Sequence, residues 1–169
     1  MKYLFAFVVF ANPAVAGCSD AELTFMSCQI EDSSKTLDVC YDDTNAYYRF
    51  GIAGQVPELA LTASIADLDY RPWNGLGKDI WEEISFENGN YAYSVHGGYE
   101  RPWGDETYED VPNRNFGAVS VARYGEIFMD LDCDRSKIEF IWADDIWKIK
   151  ESLGFVWVDN TREWVELPD

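Results

Sequence analysis

Apolar and polar positions alternate with a period of two through most of this chain, and the alternation is clearest between residues 80 and 95. Ile80-Trp81-Glu82-Glu83-Ile84-Ser85-Phe86 leads through Glu87-Asn88-Gly89-Asn90 into Tyr91-Ala92-Tyr93-Ser94-Val95. Asn88-Gly89 suits the two positive-φ positions of a type I′ turn, so the pattern predicts a β-hairpin. A second hairpin is expected from Ala118–Arg123, the turn Tyr124-Gly125 and the strand 126–133. Upstream, Leu23–Ile30, a turn at 31–35 and Thr36–Tyr41 read as strand, turn, strand. Two further strands are expected at Ala46–Gly51 and Glu58–Ala63, the latter opened by Pro57.

The period changes to that of a helix only once. Trp142, Ile146, Ile149 and Leu153 share a face, Asp144 and Asp145 stand at the positive end of the dipole, and Gly154 fits the C′ position. Phe155–Val158 and Arg162–Val165 then form a closing hairpin in which Trp157 and Trp164 pair across the strands. The pattern as a whole predicts a mainly β domain over 17–169, an antiparallel sandwich or barrel with one helix in its C-terminal half.

Residues 1–16 are expected to be a signal peptide: Lys2, the apolar run Tyr3–Ala11, and the cleavage signal Ala14-Val15-Ala16. Export predicts a periplasmic or secreted protein. Val15-Ala16-Gly17-Cys18 also resembles a lipoprotein lipobox, so a lipid anchor at Cys18 and membrane tethering stand as the alternative. With plain export, Cys18, Cys28, Cys40 and Cys133 form two disulfides. A hairpin centred near Ser34 sets Cys28 opposite Cys40 and leaves Cys18 for Cys133; the competing assignment joins Cys28 to Cys133 and Cys18 to Cys40.

Charge narrows the choice of partner. Lys and Arg number 13 against 31 Asp and Glu, a formal net charge of −18. Such a balance argues against nucleic acid, which needs a basic footprint, and against an anionic membrane surface. It favours a basic protein partner. The acidic stretch 104–115, with Asp105, Glu106, Glu109 and Asp110, is the expected contact loop. The turns Arg71-Pro72-Trp73-Asn74-Gly75 and Arg101-Pro102-Trp103-Gly104 each present a tryptophan. With Trp81, Tyr91, Tyr93 and Tyr99 these form a candidate platform for stacking sugars, since 16% of the chain is aromatic.

Catalytic motifs are sparse. His96 is the single histidine, and neither a Gly-x-Ser-x-Gly elbow nor His-Glu-x-x-His occurs. Asp130-x-Asp132-x-Asp134 opens like a calcium loop, but Arg135 stands where the glycine is needed and Ile141 where the glutamate is needed. Gly75-Leu76-Gly77-Lys78 lacks P-loop spacing. No cofactor, metal or catalytic residue is therefore assigned. Glu82, Glu83, Glu100 and Asp105 could supply a glycosidase-type carboxylate pair, which is the enzymatic alternative.

The residues Tyr48-Arg49-Phe50-Gly51, Pro57-Glu58-Leu59, Pro72-Trp73-Asn74-Gly75-x-Gly77, Ile80-Trp81-Glu82, Phe86-x-Asn88-Gly89-x-Tyr91-x-Tyr93 and Leu131-x-Cys133-Asp134 are similar to a set of small exported bacterial proteins of uncharacterised activity. In size, export, cysteine pair and antiparallel strands the chain also resembles the periplasmic lysozyme inhibitors. Their Ser-Gly-x-x-Tyr loop has only a distant counterpart here, at Ser120-Val121-Ala122-Arg123-Tyr124. The expectation is an exported, non-catalytic binding module, an inhibitor of a basic hydrolase such as lysozyme. A glycan binder or weak glycosidase using exposed tryptophans, and a structural envelope protein, are the alternatives.

Overall fold

The strand-forming runs join edge to edge into one antiparallel sheet in the computed structural model, which describes residues 17–102, 104–107 and 114–168. Its strands are β1 (Leu23–Ile30), β2 (Lys35–Tyr41), β3 (Asn45–Ile52), β4 (Leu59–Ser64), β5 (Asp69–Arg71), β6 (Asp79–Asn88), β7 (Tyr91–Glu100), β8 (Asn115–Arg123) and β9 (Glu126–Phe140). Their order is β4-β3-β2-β1-β9-β8-β7-β6-β5. Helix α1 (Asp144–Ser152) and a separate two-stranded sheet of β10 (Phe155–Val158) and β11 (Glu163–Glu166) complete the chain. The domain is mainly β, as its alternation predicts.

The 15-residue strand β9 curls the sheet. Its first half pairs with β8 and its second half with β1, and each ladder carries a register shift, at Val121/Ala122 and at Cys28/Ile30. Bulges bend a strand and increase its twist, so the two flanks of the sheet close on one another. Tyr48 of β3 lies 5.7 Å from Phe86 of β6 and 5.5 Å from Tyr93 of β7, ring centre to ring centre. Phe25, Leu37, Val39, Ile84, Val95 and Val119 are buried with them in one core. Gly97 and Gly117 sit opposite each other on β7 and β8. A Cβ at Gly97 would come within 2.6 Å of the Phe140 ring, so these glycines let Phe140 and Met26 cross the inner face.

The preferred cysteine pairing is corrected. The bonds are Cys18–Cys40 and Cys28–Cys133. The first hairpin turns earlier than Ser34: Cys28 faces Leu37, and a bulge between Thr24 and Met26 brings Cys40 opposite Thr24. Cys40 therefore lies toward the N-terminal end of β1, beside Cys18. The shift at Cys28/Ile30 in the other ladder carries Cys133 to Cys28. Two disulfides fit an extracytoplasmic, oxidising compartment. The sulfur of Cys18 is spent on Cys40, which leaves no thiol there for a lipid. The leader expected at 1–16 lies outside the described residues, and no described helix is long and apolar enough to cross a membrane.

Smaller differences concern turns and strand lengths. Asn88 pairs with Tyr91, so the two loop residues are Gly89-Asn90, with positive φ only at Gly89 (64°). That is the type II′ pattern, not I′. The I′ pattern appears instead at Tyr124 (φ 53°) and Gly125 (φ 81°). β5, and β9 beyond Cys133, have no counterpart among the expected strands.

Candidate functional site

The same alternation that buries Ile84 and Phe86 turns Trp81 and Glu83 to the outer face of β6. On β7 it turns out His96, and on β8 Phe116 and Ala118. Trp81 and Phe116 both stand opposite Gly98. A Cβ at Gly98 would lie 2.6 Å from the Phe116 ring and 2.9 Å from Trp81 Cβ. Its absence lets the two rings flank His96, at 5.0 Å for Trp81 and 5.6 Å for Phe116. Burial holds the His96 pKa below its ordinary value, opposed by the Asp79 charge, so the imidazole is neutral at neutral pH.

Beside this aromatic row lies the short edge strand β5. Arg71 pairs with Glu83 in register, and their side chains meet at 3.3 Å, with Asp69 3.4 Å from the same guanidinium. Burial raises the Glu83 pKa, and Arg71 opposes that rise.

The β10–β11 hairpin closes over this edge. Trp164 donates its Nε1–H to the Tyr70 carbonyl at 2.8 Å and stacks on the Tyr70 ring at 6.1 Å. Trp147 and Trp157 pack on Trp164 at 4.9 and 5.6 Å. A cavity of about 460 Å³ results, walled by Trp81, His96 and Trp157, with Arg71, Glu83, Asp159 and Arg162 at its polar rim. A second cavity of about 550 Å³ adjoins it on the other side of Arg71, and the two share Arg71, Trp157 and Arg162. Together they make a groove along β5.

Lys150 lies at the base of the second cavity. It is 1% exposed, donates to the Ala66 carbonyl at 3.2 Å, and sits 5.2 Å above the Phe155 ring and 5.4 Å above that of Trp164. Burial brings its pKa down to about 8, against the charges of Asp69 and Asp67. Periodicity places Leu153 on the packed face of α1, but Leu153 is 48% exposed and Lys150 is buried instead.

The structure distributes the expected binding residues unevenly. Trp73 lies on the loop at the groove's rim, its Nε1–H donating to the Leu76 carbonyl at 2.9 Å and its ring covered by Arg101 at 5.0 Å. Tyr99, like Tyr91 and Tyr93, packs against the core. Asp105 and Glu106 are exposed on their loop, whereas Trp103, Glu109 and Asp110 lie outside the described residues. Of the platform's described members, Trp81 alone lines the groove. His96, Trp157, Arg71 and Arg162 join it through strand pairing that no local motif encodes; Trp157 was legible only as half of a cross-strand pair.

Cys18, Glu22 and Cys40 bring ligand-type atoms within 4.8 Å of one another. Both sulfurs are committed to the disulfide, and Glu22 is held by Arg49 at 2.6 Å, so the cluster is an N-terminal clasp with no thiolate to offer a metal.

No protein family matches the chain, and comparison with curated proteins and with solved structures finds no similar protein. The groove's chemistry stands as its own evidence.

Proposed function

We propose that the protein is an exported, non-catalytic binding module that holds a carbohydrate chain in the groove along β5. The observation that carries this reading is the meeting of Trp81, His96 and Trp157 with Arg71, Glu83, Asp159 and Arg162 in one cavity. Half-buried aromatic faces take the apolar side of a sugar ring, and charged groups at the rim take its hydroxyls. A binding rather than hydrolytic role is favoured because Glu83 is tied to Arg71 and His96 is packed between two rings, where a general acid or base needs reach to a proton.

The test is titration of the mature protein with a panel of oligosaccharides, followed by tryptophan fluorescence and calorimetry. Binding that persists at high salt and weakens at least tenfold in both Trp157→Ala and Trp81→Ala supports the reading. Absence of binding across the panel, or binding indifferent to both changes, overturns it.

A second reading keeps its own support. The net charge of −18 and the exposed Asp105 and Glu106 favour capture of a basic protein, with inhibition of a hydrolase such as lysozyme as the outcome. Inhibition that fades between low and high salt would support it, and the absence of inhibition at low salt would remove it.

A further inference from the structure

Arg162 stands apart from the other arginines of this acidic chain. Arg49 binds Glu22, Arg71 binds Glu83, and Arg135 binds Glu100. Arg101 and Arg114 donate to backbone carbonyls, and Arg123 lies over Tyr91 and Tyr124. The Arg162 guanidinium has no such partner among the described residues, although acids outnumber bases 31 to 13. Its side chain is exposed, while its backbone is held. Its backbone N–H donates to the Val158 carbonyl at 2.7 Å, and its φ of 60° places it in the left-handed region. For a residue other than glycine that conformation is unfavourable, so the backbone of the hairpin tip is held by its surroundings. Arg162 lines both cavities of the groove, and Trp157 lines both with it.

We propose that the groove's ligand is a uronic-acid-containing saccharide, with the sugar ring against Trp157 and its carboxylate bound by Arg162. This inference rests on the carbohydrate reading of the groove and names its substrate class. A planar guanidinium matches a carboxylate in a two-bond fork, and an adjacent indole supplies the flat apolar surface that a pyranose ring covers. The long-range field of a chain at −18 repels an anion, so selectivity for the acid comes from short-range contact in the groove and not from steering.

The experiment compares oligogalacturonate with its methyl ester, which has the same linkage and ring shape but no charge, by calorimetry on the mature protein. The expected result is an acid bound about tenfold or more tightly than the ester, as one charge-assisted pair supplies. Arg162→Gln is expected to erase that preference, weakening the acid about tenfold or more and the ester by clearly less, Arg162→Lys to keep part of it, and far-UV circular dichroism to match wild type in both. Equal binding of acid and ester, or an acid preference that survives Arg162→Gln, overturns the inference and leaves the carbohydrate reading standing. So does binding of neutral cello- or chito-oligosaccharides with none of oligogalacturonate. Silence across acidic, esterified and neutral glycans removes both.

Discussion

The carboxylate of Glu82 accepts a hydrogen bond from the backbone N–H of Ala143, 2.8 Å away and 61 residues along the chain. Ala143 is the N-cap residue of α1 and has no side-chain cap of its own, so a strand residue satisfies one of the helix's orphan donors. The other Glu82 oxygen accepts from the Tyr70 hydroxyl. The side chain is wholly buried.

That burial makes stability depend on pH. Loss of water pushes the Glu82 pKa from 4.5 up to about 7, against the two hydrogen bonds and with help from Asp144. Between these values the folded protein binds a proton that the unfolded chain has released, so stability falls as pH rises across the window, by an amount on the order of 3 kcal/mol from this group. Glu82→Gln keeps the shape and removes the titration. The expected outcome in urea unfolding at pH 4.5 and pH 7.5 is a drop for wild type and a clearly smaller one for the variant. Glu83, raised in the same direction, supplies part of what remains.

Alternation predicted that β6 would turn Ile84 and Phe86 to one face, and they are buried; Glu82, in step with them, is buried too. Period-two patterning reports which face a residue takes and says nothing about what it meets there. Most strands, the late helix and the Trp157–Trp164 pair were legible because each depends on neighbours in sequence or directly across a turn; β5 and the second half of β9 pair with partners the local pattern does not name. The choice between the two cysteine pairings and the groove were not, because the first depends on the register shifts in the β1 ladders and the second on the closure of β10–β11 over β5. Arg71 and Arg162 stand on elements 91 positions apart and meet only through that closure.

Lys150 titrates with the opposite sign. Its pKa is brought down from 10.5 to about 8, so above pH 8 the unfolded chain holds a proton that the folded protein has lost, and stability rises with pH up to about 10.5. Replacing a buried charge with an apolar side chain of similar length is often neutral or stabilising. Lys150→Met is expected to leave the protein as stable as wild type or more so at pH 7, and to abolish the gain between pH 8 and 10. A loss of several kcal/mol at pH 7 would show instead that the Ala66 bond and the stacking over Phe155 and Trp164 outweigh the cost of burial.

The two disulfides should differ in what they contribute. Cys18–Cys40 closes a sequence separation of 22 and Cys28–Cys133 one of 105. Chain entropy assigns about 3 kcal/mol to the first and about 5 to the second. The paired change Cys28→Ala with Cys133→Ala is therefore expected to cost more in denaturant unfolding than Cys18→Ala with Cys40→Ala. The order would reverse if the Cys18 bond is what seats Arg49 between Glu22 and the Gly17 carbonyl. Unfolding Arg49→Gln beside the two pairs separates these causes.

Gly97 and Gly98 are adjacent but face opposite sides of the sheet, so one methyl group at each position acts on a different face, the core at Gly97 and the groove at Gly98. A Cβ at Gly97 meets Phe140 at 2.6 Å and Met26 Sδ at 3.2 Å on the inner face. Overpacking of this kind costs about 1–3 kcal/mol, so Gly97→Ala should unfold at lower denaturant with the His96 titration unchanged. At Gly98 the methyl group meets the Ile80 carbonyl oxygen of the paired strand first, then the Phe116 ring and Trp81 Cβ, so Gly98→Ala also strains the β6–β7 ladder and lowers stability while it shifts the two residues whose rings cover His96. Forcing them apart admits water to the imidazole, whose pKa is lowered chiefly by burial. Gly98→Ala is thus expected to move the His96 pKa up toward its ordinary 6.5 in a proton NMR titration and to weaken any ligand that depends on Trp81. An unmoved His96 signal in Gly98→Ala would mean that Trp81 and Phe116 do not shield it, and that the groove's aromatic wall is built on Trp157 instead.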